Sequence, residues 1–255
     1  MTAFALKLIA MLTMVIDHAG LLLCDNNMIM RTIGRFAFLT YAFLMAEGYY
    51  HLKDKADRLR FHMIKMCVLA AVSEPLHDLC IKRAWLEFKL QNALFTLLIG
   101  YAALIVSDRW KKKHGENREA SIFGCIVIVT AAAAVSYFLR CEYDIPGTMF
   151  IVLSYHYLCR ADSWNLPQRL GALLGIVAVF LFFQMWIYSD FGGVDAFVRT
   201  VLKYRLPVIG AILAIIPLAL YNRELGYRSK WFGWLYSGFY PLQFAVLALI
   251  MHWVK

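Results

Sequence analysis

Residues 6–20, "LKLIAMLTMVIDHAG", decide the fold class of this protein. They belong to an apolar run over about residues 4–24, which is long enough to cross a bilayer, because about 20 mainly apolar residues suffice. Lys7, Asp17 and His18 nevertheless lie inside this run. An ionisable side chain in hydrocarbon costs roughly 2.5–3.5 kcal/mol, so such residues are usually kept for ion pairing, proton transfer or substrate contact. The run therefore predicts both a membrane helix and a functional site.

The composition of the whole chain is typical of a membrane protein. Of the 255 residues, 62% are hydrophobic and 17% are charged, whereas soluble proteins have about 25% charged residues. Nine apolar runs qualify or nearly qualify as spanning helices: about 4–24, 31–50, 61–80, 91–107, 121–139, 146–159, 167–188, 206–221 and 232–252. Backbone polar groups must be satisfied inside lipid, and these runs are too long for barrel strands. We therefore predict an all-α integral membrane protein, a polytopic bundle of about nine transmembrane helices that forms a single domain over residues 1–255.

The basic residues between the runs predict the orientation. Fourteen Lys and Arg residues lie in loops on the side of the N-terminus, and eight lie in loops on the other side. By the positive-inside rule, we expect a multi-pass protein of the cytoplasmic (inner) membrane with its N-terminus in the cytoplasm. The net charge of +9 is explained by contact with anionic lipid headgroups, so the lipid bilayer is an expected partner and nucleic acid is not.

The six cysteines show no CxxC motif and no Cys/His cluster with metal-ligand spacing, so we expect no metal site. Cys24, Cys80 and Cys141 fall at run ends on the predicted outer side. A disulfide is conceivable there, although small buried or interfacial thiols are the simpler interpretation.

Lys7 and His18 share one helix face, because eleven residues correspond to about three turns and a rise of roughly 16 Å. A neutral imidazole suits a general base, but a histidine satisfied by a neighbouring helix is the alternative. Lysine can bind phosphate or extend to the membrane interface without a functional role. Asp17 points about 100° away from His18 and is expected to pair with Arg31 or Arg35.

Further polar residues interrupt the later runs and are candidate site residues: Arg31, Arg35, Glu47, Glu74, Asn92 and Asp144. The two arginines share a helix face and need an acidic partner or an anionic ligand. The two glutamates are either structural counter-ions or functional carboxylates. Asn92 can contact a polar ligand or join two helices, and Asp144 lies on the predicted outer side.

Taken together, these stretches resemble the TraX family of membrane proteins, named for a protein that acetylates the N-terminus of conjugative pilin. The resemblance rests on "LKLIAMLTMVIDHAG", "RTIGRFAF", "AFLMAEGYYH", "RLRFHMIKMCVLAAVSEP", "NALFTLLIG" and "GFYP". These elements cover the first hundred residues densely and the rest of the chain sparsely.

The TraX family is in turn similar to a membrane acyltransferase superfamily that carries an arginine, ten residues and a histidine in its first span. Here Lys7, ten residues and His18 occupy this pattern. Lysine keeps the positive charge but lacks the bidentate guanidinium. A second departure is Gln243, which stands where the family pattern after "FYP" tends to end in histidine.

The resemblance implies an acyl-CoA-dependent acyltransferase, specifically an acetyltransferase, with acetyl-CoA as acyl donor and no metal. His18, with Asp17 beside it, would be catalytic, as general base or transient acyl carrier. Lys7, Arg31 and Arg35 would bind the donor, and Asn92, Arg31 or Arg35 would stabilise the oxyanion. The remaining candidates would bind substrate or support the site: Glu47, Glu74, Asn92 and Asp144.

The expected acceptor is an amine or hydroxyl, such as the N-terminus of a pilin-like peptide or an envelope glycan, which reaches the site from the outer side. Two other function classes stay open. One is a proton-coupled transporter or flippase in which Asp17, His18, Glu47 and Glu74 relay protons. The other is a non-catalytic assembly scaffold for pili or conjugation machinery. Nothing in these residues distinguishes a peptide amine from a sugar hydroxyl.

Overall fold

The computed structural model describes residues 1–160 and 165–253, and these residues form a bundle of helices with no strand. A π-helical turn, Tyr155–Cys159, directly follows the sixth α-helix, Asp144–Ser154. The helices are α1 (Ala3–Leu22), α2 (Met28–Leu52), α3 (Ala56–Ile81), α4 (Ala93–His114), α5 (Arg118–Phe138), α6 (Asp144–Ser154), α7 (Leu166–Tyr188), α8 (Gly193–Lys203), α9 (Arg205–Leu213), α10 (Ile215–Ala219) and α11 (Lys230–Trp253).

Asparagine side chains begin four of the long helices. Asn27, Asn92, Asn117 and Asn165 each accept a hydrogen bond from a backbone N–H in the first turn of α2, α4, α5 and α7. Such caps satisfy backbone donors that have no partner within the helix, and each is worth about 1 kcal/mol. The caps explain why the helices begin within a few residues of the predicted runs.

The prediction of a membrane-type helical bundle is confirmed, but nine spanning helices are not. Each predicted run contains helix, yet six helices of the described chain are long and apolar enough to cross a membrane: α1, α2, α4, α5, α7 and α11. The count rises to seven if α8 and the α9–α10 pair, bent by 72°, form one broken span. The two other runs fall short because α3 carries charged residues along its length and α6 has only 11 residues.

The helices alternate in direction, which gives the bundle two ends. At the end that holds the N-terminus, the amine of Met1 donates to the carbonyl of Leu220 at 2.6 Å, and Lys112 pairs with Asp54 at 3.2 Å. The near end comprises residues 1–2, 53–55, 115–117 and 220–229. The far end comprises residues 23–27, 82–92, 139–143 and 189–192.

Helices α1 and α2 approach each other closely because glycines lie at their contact. A Cβ atom on Gly34 would lie 2.1 Å from Cβ of Asp17, and one on Gly20 would lie 2.5 Å from Cβ of Met30. Small residues allow this close approach of helices in membranes, where packing replaces the hydrophobic effect as the driving force. The contact fixes α1, and with it Asp17 and His18, against α2.

Candidate functional site

His18, on α1, is almost fully buried against α11, with 6% of its surface exposed. Its imidazole lies 4.5 Å from the ring of Phe244 and 6.4 Å from that of Tyr240, measured between centroids. The amide of Gln243 adjoins the imidazole. Nevertheless Nδ1 of His18 and both amide atoms of Gln243 are buried with no hydrogen-bond partner among the described residues. The ring is therefore held by packing, and a neighbouring helix does not satisfy its Nδ1 atom.

One cavity reaches His18 from the direction of the near end. This near cavity has a volume of 390 Å³ and lies between α1, α2, α3, α4 and α11. Its lining begins with Lys7, His62 and Lys65 and continues to Asp17 and His18. Most of the wall between these groups is apolar, which suits the alkyl part of a ligand whose charged part stays at the near end.

A second cavity reaches His18 from the far end. This far cavity has a volume of 620 Å³ and is rich in basic side chains, among them Arg31, Arg35 and Arg140. The predicted common face of Arg31 and Arg35 is confirmed, since both line this cavity. Asp144, at the start of α6, also lines it.

Three residues form the wall that the two cavities share: His18, Glu142 and Tyr143. The imidazole can therefore be approached from both ends of the bundle. A reaction between one molecule in the near cavity and another in the far cavity would take place at this wall.

Tyr143, which directly precedes Asp144 in the sequence, is a further functional candidate. Its ring stacks on Phe38 at a centroid distance of 3.6 Å, and Nη1 of Arg35 donates to its hydroxyl oxygen at 3.5 Å. Burial raises the pKa of Tyr143, which lies in the turn before α6. The phenol therefore stays protonated, and its O–H, polarised by the guanidinium, can donate to an oxyanion.

Asp17 pairs with Arg31, as predicted, with Oδ1 3.5 Å from Nε. The carboxylate faces the near cavity, and it contacts α2 at Gly34. Its charge is thus partly balanced beside His18. A catalytic role of Asp17 stays a prediction.

Lys7 lies at the near end and lines two cavities. Its ammonium sits 4.9 Å from the ring centroid of Tyr236, a cation–π distance. Besides the near cavity it lines a surface cavity of 410 Å³ that Arg228, Lys230 and Tyr227 also line. Basic and aromatic groups together suit a phosphorylated nucleotide, so a phosphate-binding role for Lys7 has a structural setting.

Glu47 is placed away from the shared wall. Its carboxylate accepts a hydrogen bond from the hydroxyl of Tyr221 and lies 3.9 Å from the imidazole of His51. It lines neither the near nor the far cavity. These contacts indicate a structural role at the near end.

Glu74 and Asn92 join α3 to α4. Both the backbone N–H and the side-chain amide of Asn92 donate to Oε2 of Glu74, and the amide also donates to the carbonyl of Ala70 at 3.0 Å. Neither residue lines the near or the far cavity. Of the two predicted options for Asn92, the structure supports helix joining, so its amide is not available to an oxyanion.

His77 is a site residue that the sequence reasoning missed. It lines the far cavity, and its Nδ1 lies 3.3 Å from Oδ1 of Asp78, whose other oxygen accepts from the N–H of Glu87 at 2.6 Å. The carboxylate favours the tautomer with a proton on Nδ1, which leaves Nε2 as an acceptor. The adjacent "HD" pair was the available signal.

Glu74, His77 and Asp78 are close enough to hold a metal ion, since one ligand atom from each lies within 4.8 Å of the others. Hydrogen bonds from Asn92 and Glu87 occupy one oxygen of each carboxylate, while Oε1 of Glu74 and Nε2 of His77 have no partner in the described chain. The sequence analysis did not identify this cluster, although its three residues stand at i, i+3 and i+4 spacing in α3. The expectation of a metal-free protein stays a prediction.

All six cysteines are free thiols, so the conceivable disulfide among Cys24, Cys80 and Cys141 is not formed. Cys24 is exposed at the far end, whereas Cys80 and Cys141 are buried.

Comparison with known proteins places the chain in a family. The chain is 25% identical over 260 residues to "Probable fimbrial assembly protein FimC, serogroup H1" of Dichelobacter nodosus, and the match covers 96% of this chain and 94% of that protein. No solved structure matches the chain. A family model described as "TraX protein" matches residues 3–251. The chain therefore belongs to the TraX family, as the resemblance of its sequence predicted.

Proposed function

We propose that this protein is a membrane-embedded acyltransferase that moves an acetyl group from cytoplasmic acetyl-CoA to an amine or hydroxyl acceptor. The observation that carries the proposal is the position of His18 in the wall shared by the near and far cavities. Two substrates that enter from opposite ends would meet at this imidazole. The family resemblance supplies the reaction class, and the cavities supply room for both substrates.

Acetyl-CoA enters at the near end in this proposal. Its phosphates lie with Lys7, Arg228 and Lys230 in the surface cavity, and its adenine contacts Tyr227. The pantetheine arm then runs through the apolar near cavity. Since Lys7 and His18 are separated by roughly 16 Å along α1, the arm brings the thioester to the imidazole.

His18 removes the proton of the acceptor as its nitrogen or oxygen attacks the thioester carbonyl. The phenol O–H of Tyr143, held by Phe38 and polarised by Arg35, donates to the oxyanion that forms. The carbon–sulfur bond breaks, and the CoA thiolate takes the proton from the imidazolium. Acyl-acceptor and CoA thiol are the products.

This route requires the near end to face the cytoplasm, where acyl-CoA is available. The N-terminus would then lie on the cytoplasmic side of the inner membrane. The larger number of basic residues in the near-end loops supports this orientation. The far cavity then receives an acceptor from the outer side.

The test is acetyl transfer by purified protein in lipid nanodiscs with radiolabelled acetyl-CoA. We expect release of CoA thiol that His18→Gln lowers at least about 100-fold, the range of a lost general base. His252→Gln is the matched control, because His252 is exposed at the end of α11. If the wild-type protein neither binds nor consumes acetyl-CoA, the enzyme hypothesis is wrong. Proton-coupled flux without use of CoA would instead support a transporter.

A non-catalytic role in pilus assembly is a second candidate, because the relative from D. nodosus is named as a fimbrial assembly protein. The His18→Gln variant distinguishes the two. A scaffold would support pilus assembly in cells without this imidazole, as long as the variant is produced at the wild-type level.

A further inference from the structure

The far cavity is lined by charged side chains of both signs. Its basic residues are Arg31, Arg35, Lys89 and Arg140, and its acidic residues are Glu142 and Asp144. The acidic residues equal the basic ones in number once Asp17 and Glu87, which pair with Arg31 and Lys89, are added. The basic residues differ in whether a carboxylate lies within ion-pair distance.

Two of these cations have partners on the chain. Nε of Arg31 lies 3.5 Å from Asp17, and the ammonium of Lys89 lies 3.8 Å from Glu87. Arg31 and Lys89 are therefore at least partly neutralised by the protein itself.

The two other cations, Arg35 and Arg140, form no ion pair with any described residue. Arg35 is half-buried, and its Nε has no hydrogen-bond partner in the described chain. Its Nη1 donates only a weak hydrogen bond, at 3.5 Å, to the hydroxyl oxygen of Tyr143. Arg140 lies in the turn between α5 and α6, where its backbone has a positive φ of 55°. A planar guanidinium with free donors is suited to bind a carboxylate or phosphate.

The same cavity also contains groups suited to a sugar. Tyr137, Tyr143 and Tyr188 line it, and aromatic rings of this kind pack against apolar faces of a ligand while their hydroxyls bond its polar groups. His18 supplies a base for a neutral hydroxyl. A peptide N-terminus, in contrast, arrives as a cation and cannot accept hydrogen bonds from the guanidinium groups.

We propose that the acceptor is an anionic saccharide, which carries a carboxylate or phosphate that binds Arg35 and Arg140 and a hydroxyl that faces His18. This inference rests on the proposed acyl transfer and names its acceptor class. The hydroxyl oxygen attacks the thioester carbon, His18 takes the hydroxyl proton, and the carbon–sulfur bond breaks. The products are an O-acetyl ester and CoA thiol.

Binding is measured first, without acetyl-CoA, so that the result does not depend on catalysis. The probes are methyl glucuronide and glucose 6-phosphate, with the neutral methyl glucoside as their matched control, and the readout is the dissociation constant from calorimetry in nanodiscs. We expect both anionic sugars to bind at least ten times more tightly than the neutral sugar. Comparison of the two anionic probes distinguishes a carboxylate from a phosphate source.

Variants then locate the binding. Arg140→Gln is expected to weaken binding of the preferred anionic sugar about tenfold, because one guanidinium partner is lost. Arg35→Lys keeps the positive charge but removes the planar guanidinium, and it is also expected to weaken binding of the anionic sugar. Arg199→Gln is the control, because Arg199 is exposed on α8 and lies outside the far cavity. Equal affinity for charged and neutral sugars, or tighter binding of an alanine-terminated peptide amine, overturns the proposal.

Acetyl transfer is measured separately with the same acceptors. Tight, arginine-dependent binding without consumption of acetyl-CoA would refute the acyltransferase and leave the anion site in place. Consumption of acetyl-CoA at equal rates with neutral sugars or peptide amines would refute the acceptor class and leave the acyltransferase in place.

Discussion

Replacement of Gly34 by alanine tests the α1–α2 contact that positions the candidate site. The new Cβ would lie 2.1 Å from Cβ of Asp17 and 2.3 Å from its Cγ, whereas ordinary contacts begin at 3.4 Å. The helices must therefore separate by about 1.3 Å, because the Cβ of Asp17 is fixed to its backbone and cannot rotate away. His18 is the next residue and moves with Asp17.

The energetic cost follows from this overlap. Overpacking costs about 1–3 kcal/mol, and the better helix propensity of alanine returns about 0.5–1 kcal/mol. Since the overlap involves an atom next to the backbone, we expect the upper part of the range and a net loss of about 2 kcal/mol. At about 2–4 °C per kcal/mol for a chain of this size, the Tm falls by about 4–8 °C. A displacement of the His18 imidazole, the proposed general base, by about 1 Å would also lower the rate of acetyl transfer by about 100-fold.

Thermal unfolding can be followed with a thiol-reactive dye, because Cys80, Cys141 and Cys159 are buried and react only after unfolding. Gly175→Ala is the matched control, since its Cβ would meet nothing within 4 Å. If Gly34→Ala and Gly175→Ala unfold within about 1 °C of each other, the predicted difference of about 2 kcal/mol is absent. The described contact between α1 and α2 would then be wrong.

Three further predictions concern other parts of the molecule. Asn92→Ala removes a helix cap and one side-chain hydrogen bond each to the buried carboxylate of Glu74 and to the carbonyl of Ala70, so we expect the free energy of unfolding to fall by about 3 kcal/mol. Asn117→Ala removes a cap alone and should cost about 1 kcal/mol. Denaturation of both variants measures the difference, and equal losses would refute the role of Asn92. Cys24 is exposed at the far end, so a membrane-impermeant maleimide should label it in spheroplasts but not label Cys24→Ser; labelling that requires lysis would reverse the orientation. Tyr143→Phe keeps the stacked ring but removes the hydroxyl, and should lower kcat of acetyl transfer about 100-fold with an unchanged Tm; an unchanged kcat would exclude the oxyanion role.

Many local features of this protein could be predicted from its sequence. Hydrophobic runs of about 20 residues predicted the membrane-type bundle, and helical spacing predicted the shared face of Arg31 and Arg35 and the pairing of Asp17. These predictions succeed because they depend on residues that are near each other in the chain, where helix geometry fixes the direction of each side chain.

The number of spans could not be predicted in the same way. Hydropathy ranks a segment by its composition, so it does not show that α6 stops after 11 residues or that α8 and α9 meet at a bend of 72°. Those features depend on packing against neighbouring helices, which lets short or polar helices stay inside a bundle.

The sequence by itself determined the membrane class, the positions of the helices and the imidazole at residue 18. Only the tertiary structure decided what surrounds that imidazole: Phe244 and Gln243 from α11, Tyr143 from the turn before α6, and a cavity on each side. It also gave Glu47 and Glu74 partners elsewhere and placed both outside the near and far cavities. The physical reason is that a cavity is bounded by helices distant in the chain, and their crossing depends on the packing of all side chains at once.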